Sequence, residues 1–156
     1  DFGLDATAEL SDAIKELGFR YATQSGISIG MDDLVVPADR AAVINEGEKR
    51  VVGFAGLYEQ GLITEDERYH KTIEAWKEVG DVVEKSLVDT LTNSESTLTM
   101  DIESGARATM AQVNQMAGML GLMLNPSGRT IELPIRCNYK DGLSVLDYFI
   151  STHGAR

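Results

Sequence analysis

Gln60-Gly-Leu-Ile-Thr-Glu-Asp-Glu67 is the stretch that decides the fold. Gly61 is a natural helix stop, because glycine enters the left-handed conformation that ends a helix without a steric penalty. Thr64 and Glu67 fit a capping box, in which each side chain satisfies a backbone N–H at a helix start. The stretch is therefore a turn between two helices. On its N-terminal side Ile44, Val51 and Tyr58 recur every seven residues, with Phe54 filling a neighbouring position. On its C-terminal side Tyr69, Ile73, Trp76, Val83 and Leu87 follow a heptad, with Gly80 at the one small position. Two long helices joined by so short a turn run antiparallel. At 1.5 Å per residue each arm reaches roughly 30 to 40 Å. Gly47, Gly53 and Gly56 weaken the first arm by about 1 kcal/mol each relative to alanine, so its stability comes from packing on the second arm, and close helix approach is the expected reason for these glycines.

Outward from the hairpin the signals shorten. Leu10, Ile14 and Leu17 lie at i, i+4 and i+7 behind Thr7 and Ser11 as possible caps, which predicts a short amphipathic helix ending at Gly18. Gly26-Ile-Ser-Ile-Gly30 alternates like a brief extended segment, and Pro37 suits the first turn of the next helix. Thr92-Asn-Ser-Glu-Ser-Thr97 is a polar linker. Ala108 to Leu120 predicts a helix with a stripe of Met110, Val113, Ala117 and Leu120. The methionines at 110, 116, 119 and 123 read as adaptable core. Asn125-Pro-Ser-Gly128 is a turn, and the alternation of Ile131, Leu133 and Ile135 predicts a small β-hairpin with Pro134 confining its second strand to an edge. In the last stretch Ser144 and Asp147 fit a further capping box. Leu143, Leu146, Phe149, Ile150 and His153 share helical spacing, but Val145 and Tyr148 lie on the other side. A helix apolar around most of its circumference is normally buried on all sides. One that meets the chain end without a stop signal suggests a piece of something larger, as does the missing initiator Met.

Composition narrows the function. Twenty-five Asp and Glu against 14 Lys and Arg give a formal net charge of −11. With no dense basic run, an autonomous nucleic-acid binder is disfavoured, since phosphate contacts demand concentrated positive charge. Cys137 is the only cysteine, which excludes an internal disulfide framework and a cysteine-based zinc site. His70 and His153 are far apart in sequence, without carboxylates at ligand spacing, so no metal site is expected. No signal peptide or long apolar run appears, which makes a cytoplasmic location, without membrane contact, the expectation. Asp32-Asp33, the only close acid pair in the body, reads as a turn or cap, so no catalytic residue is expected here. Arg107 is the most suggestive single side chain. It follows Ser104-Gly105 just before a helix start, where a fixed guanidinium beside free N–H groups can hold a phosphate.

Several separated motifs carry a resemblance in the same order along nearly the whole chain. Asn138 to Arg156, Ser104-Gly-Ala-Arg107 with Gln115-Met-Ala-Gly-Met119 and Gly121-Leu-Met123, Leu17 to Gly26, Asp32-Asp33 with Val36-Pro37, and Glu67-Arg-Tyr69 with Trp76 resemble the bacterial DNA-directed RNA polymerase β′ subunit. The resemblance implies that the hairpin is the rim of the secondary channel, where transcript-cleavage and other channel-binding factors dock. Its tip, Leu62 with Glu65, Asp66 and Glu67, would be the docking part, although acids in a first turn also simply favour the helix dipole. The resemblance further implies an F-loop region in which Arg107 lies near the triphosphate of the incoming nucleotide. It also implies the start of the bridge helix, carrying Tyr148, Phe149, His153 and Arg156. The pattern is broken at Ala108, where the family commonly has glycine, and at Asn114 and Leu120, where it commonly has basic residues.

These readings combine into a mainly α fold: a long antiparallel helical hairpin, or coiled coil, projecting from a small α+β body with a short β-hairpin. The expected parts are a body segment at 1–37, the rim hairpin at 38–91, the F-loop region at 92–141 and the bridge-helix start at 142–156. The implied setting is a nucleoid-associated transcription complex with the β, α, ω and sigma subunits, nucleoside triphosphates, DNA template and RNA. Mg2+ would be bound outside this segment, and the segment alone would be inactive. The rival reading is a free-standing helical-hairpin interaction module without catalysis.

Overall fold

The computed structural model describes residues 3–94, 96–105 and 108–155, the side chains of 154 and 155 excepted. It forms two compact units, 1–30 and 31–156. The first is a single helix, α1 (Gly3–Ser25), with no buried residue. It starts earlier and runs further than the sequence predicts. Thr7 lies inside it, and its hydroxyl donates to the Gly3 carbonyl at 2.8 Å instead of capping the helix. Gly18 is tolerated in the interior, and the stop comes at Gly26, whose φ is +64°.

The second unit is built on α2 (Arg40–Glu59) and α3 (Glu65–Thr92), packed against each other as an antiparallel pair. Pro37 stands ahead of the first turn of α2, whose N-cap is Asp39. Ile44 meets Trp76, Val79 and Val83 in the seam, and Met119 closes this part of the core. Trp76 is 4% exposed and Val83 fully buried. At 25–30 cal/mol per Å2 of apolar surface removed from water, side chains this deep dominate the stability of the pair. Of the three glycines in α2, Gly47 alone is a point of close approach: a Cβ there would lie 2.5 Å from Val79 Cγ2 and 3.3 Å from Trp76 Cζ3. Gly53 and Gly56 have open space around the missing Cβ.

The base of the pair carries a second core of Leu34, Leu87, Leu91, Leu98, Val113 and Ala117. It gathers α4 (Thr97–Glu103) and α5 (Met110–Ala117). α5 is shorter than the predicted helix, because Gly118 leaves helical geometry and Leu120 lies beyond the last turn. Met110 and Met116 lean on this core and Met123 on the next one.

The expected β-hairpin is absent among the described residues. Two isolated antiparallel bridges, Gly121 with Ile135 and Leu124 with Thr130, stand in its place. Bends at 132–133 and the missing N–H of Pro134 interrupt the ladder between them. A third small core of Leu120, Ile135 and Ile150 joins this loop to α6 (Val145–Ser151), which passes into a 3-10 turn at Thr152–Ala155.

Candidate functional site

The hairpin tip is closed by local chemistry. Gly61, at φ +71°, lets its own N–H reach the Tyr58 carbonyl at 2.9 Å and the Leu62 N–H reach the Leu57 carbonyl at 3.0 Å. This paired arrangement satisfies the last carbonyls of α2. Two residues later Thr64 Oγ accepts from the Glu67 N–H at 3.3 Å, and Glu67 Oε2 accepts from the Thr64 N–H at 2.8 Å. The Thr64 backbone N–H, aided by its hydroxyl, holds the Glu67 carboxyl below the usual glutamate range. Glu65 is lowered too, by the hydrogen bonds from the Arg68 guanidinium. Two of the three tip acids thus have internal partners. All three acids are exposed, as is Leu62 at 66%, and Asp66 is the one whose carboxyl is not engaged within the tip.

Arg68 extends this arrangement in a way that the heptad alone does not reveal. Its Nε and Nη2 donate to Glu65, and its Nη1 donates to Glu132 Oε2 at 2.7 Å. These two carboxylates hold the guanidinium firmly protonated. Next to it the Tyr69 hydroxyl donates to the Thr130 carbonyl at 3.1 Å, and the Arg129 guanidinium lies 4.4 Å from the centre of the Tyr69 ring. The tip is therefore fastened to the loop that follows α5. The i, i+3 spacing of Glu65 and Arg68 is the one sequence signal of this arrangement, but it cannot point to Glu132.

Of the expected phosphate site, Arg107 lies outside the described residues. Before it, α4 ends at Glu103 and Gly105 has φ +66°; after it, Thr109 caps α5 by a box with Gln112. Asn114 and Leu120, the two departures from the basic pattern, line one crevice together with Asp81 and Glu84 of α3. Asn114 Oδ1 is buried there without a hydrogen-bond partner.

The C-terminal helix begins as predicted: Asp147 N–H donates to Ser144 Oγ at 3.1 Å, and Ser144 N–H donates to Asp147 Oδ2 at 3.3 Å. Of its apolar residues Ile150 is buried, whereas Tyr148 is 59% and Phe149 61% exposed, so neither is packed in the core of this chain. The two rings stack edge to face with centroids 6.0 Å apart. His153 is exposed, its Nδ1 3.1 Å from the Phe149 carbonyl, which places it outside the core too. Arg156 lies outside the described residues.

Three polar side chains that sequence reasoning misses hold the approach to α6. Arg40, with its side chain 14% exposed, donates to the carbonyls of Gly118 and Arg136, both at 2.7 Å, and to Asp141 at 2.8 Å. Asn138 is fully buried. It donates to the Ala117 carbonyl at 2.9 Å and accepts from the Asp141 N–H at 2.7 Å, and so caps α5 and shapes the turn before α6. Lys140 donates to the Leu34 carbonyl at 2.6 Å. Nearby, burial pushes the Cys137 thiol up, and the Asp147 carboxylate pushes it further, so it is a poor nucleophile at neutral pH. Among the described residues no group of three or more His, Cys, Asp or Glu could hold a metal ion. No described helix is long and apolar enough to cross a membrane.

Residues 63–141, from the end of the hairpin turn through the Arg40-held loop, match the family model described as RNA polymerase Rpb1, domain 4. The chain belongs to the RNA polymerase Rpb1 domain 4 family. Relatives agree over almost its full length. The DNA-directed RNA polymerase subunit β′ of Desulforudis audaxviator is 49% identical over 154 residues, covering 99% of this chain and 13% of that protein. Those of Pelotomaculum thermopropionicum and Moorella thermoacetica are 47% and 48% identical over the same span. The chain thus spans 13% of the length of each of these three relatives. The family match starts within the turn and contains α3, α4, α5 and the loop that Arg68 fastens.

Proposed function

We propose that this chain is a segment of the β′ subunit of a DNA-dependent RNA polymerase, acting in transcription within the multisubunit enzyme. The observation that carries this reading is the 49% identity over 99% of the chain to a polymerase β′ subunit. In this reading the segment is positional. The α2–α3 pair lines the secondary channel and offers its tip, Leu62 and Asp66 foremost, to channel-binding factors. Arg107 contacts the triphosphate of the incoming nucleotide. α6 begins the bridge helix, so Tyr148 and Phe149 gain their neighbours from other parts of the enzyme. The exposure of these two rings supports that reading, since large apolar side chains left in water favour association. Magnesium supplies charge neutralisation for the transferring phosphoryl group in such an enzyme. In this reading the ion is held by another part of the polymerase.

The test is kinetic. In the assembled polymerase, Arg107→Ala raises the nucleotide concentration needed for half-maximal elongation, because a charge-assisted contact to phosphate is lost. Elongation kinetics equal to those of the unmodified enzyme would remove the role from Arg107.

A further inference from the structure

The loop at 121–135 is closed on itself by backbone bonds: Gly121 and Ile135 exchange theirs, the Ile131 N–H reaches the Met123 carbonyl at 2.8 Å, and the Asn125 N–H reaches the Arg129 carbonyl at 2.8 Å. Side chains tie this closed loop to the helices on either side. Toward α3, Glu132 accepts from Arg68, the Thr130 carbonyl accepts from the Tyr69 hydroxyl, and Arg129 covers the Tyr69 ring. Toward α6, Ile131 and Ile135 pack in the small core that contains Ile150, the one buried residue of that helix. Residues 130, 131 and 132 are consecutive, so the groups gripped by α3 and the group packed near α6 are joined through covalent backbone. Neither end can shift far without carrying the other.

From this geometry we infer that the 121–135 loop is a strap coupling the hairpin tip to α6, with the Arg68–Glu132 pair as its fastening. The loop's own backbone bonds keep it in one piece, so its position on α3 is set by side-chain contacts, of which the Arg68–Glu132 bond is the charge-assisted one. The pair is well placed for this: the Arg68 side chain is 19% exposed and that of Glu132 33%, and Glu65 pre-orients the guanidinium from its other side. Releasing the fastening frees Ile131, loosens the contact with Ile150 and lets α6 open, while the α2–α3 seam, which packs through Trp76 and Val83, stays closed. A ligand that displaced Glu132 from Arg68 at the tip would act on α6 by the same route. The coupling is a property of this chain alone and stands whether or not the polymerase reading holds.

Hydrogen–deuterium exchange on the full 156-residue chain tests it. Arg68→Ala accelerates exchange in both 121–135 and the α6 amides by about tenfold, the change that corresponds to about 1.4 kcal/mol of opening free energy, and leaves the amides around Trp76 to Leu87 unchanged. Glu132→Gln, which removes the charge without touching the hairpin, shifts the same two segments in the same direction. The double variant adds little to Arg68→Ala, because that substitution already removes the bond to Glu132. Faster exchange in the loop with α6 unchanged would overturn the coupling, as would equal acceleration everywhere, which is loss of global stability. Should Arg68→Ala fail to fold, Glu132→Gln decides alone by the same readings.

Discussion

Gly47 and Gly53 lie six positions apart in one helix and behave oppositely under the same substitution. Alanine at an exposed helical glycine gains up to about 1 kcal/mol from backbone propensity, and Gly53, with open space around its missing Cβ, should show that gain. At Gly47 the added carbon would lie 2.5 Å from Val79 Cγ2, a short branched side chain that cannot withdraw. Chemical denaturation should therefore find Gly53→Ala more stable and Gly47→Ala less stable than the parent protein. Two equal shifts would contradict the close approach of α2 and α3. Trp76→Ala, at the other side of that contact, should cost about 3 to 5 kcal/mol, and an unchanged unfolding midpoint would refute the seam. Both kinds of residue are visible in the sequence, but their roles are not equally so. Trp76 follows from its heptad position. Which of three glycines meets the opposing helix depends on how the two arms are rotated about their axes, and periodicity leaves that rotation open to within a residue or two.

At the level of elements, the start of α3 carries a pH dependence. Hydrogen bonds hold the carboxyls of Glu65 and Glu67 below the usual glutamate range. A carboxyl lowered in the folded state binds its proton more readily when unfolded, so its contribution is complete above the ordinary glutamate value and is lost as pH falls through the lowered one. An NMR titration of the two side chains should find both midpoints below the ordinary value, with protection of the first-turn amides fading over the same interval. Midpoints at or above that value would contradict the geometry. Thr64→Ala should cost about 1 kcal/mol through loss of the cap, read from the unfolding midpoint. The capping boxes at Thr64 and Ser144 are legible in sequence because they need four residues and no tertiary partner. The β-hairpin misleads for the opposite reason. Alternation of Ile131, Leu133 and Ile135 reports which side chains share a face, and Ile131 and Ile135 do reach one core. It cannot report that Pro134 and the bends before it leave single bridges in place of a ladder. α4 escapes a reading by periodicity because one buried leucine, Leu98, makes no period. α1 exceeds its predicted length because Gly18 resembles a stop while Gly26 is the one that takes the left-handed conformation.

For the whole molecule, two features support membership in a larger assembly. The two longest-range polar anchors, Arg40 to Asp141 and Lys140 to Leu34, secure the approach to α6, while Val145, Leu146, Tyr148 and Phe149 remain exposed. A firmly held base that presents an apolar face is a surface prepared for neighbours. With a net charge of −11 the chain does not itself supply the positive field that DNA and RNA require, and under the proposed function that field comes from other subunits. The hairpin, its polarity and the order of motifs are all legible in the sequence, because each rests on local spacing. The fastening of the tip to the loop is not, since Arg68 and Glu132 are 64 residues apart and nothing local pairs them. The most direct measurement is to tag the native chain in the cells that produce it, purify what accompanies it, and assay for template-dependent incorporation of nucleotides into RNA. Co-purification with the other polymerase subunits is expected, together with RNA synthesis that depends on DNA and magnesium. A tagged chain recovered alone and folded, without RNA synthesis, would contradict the proposed function.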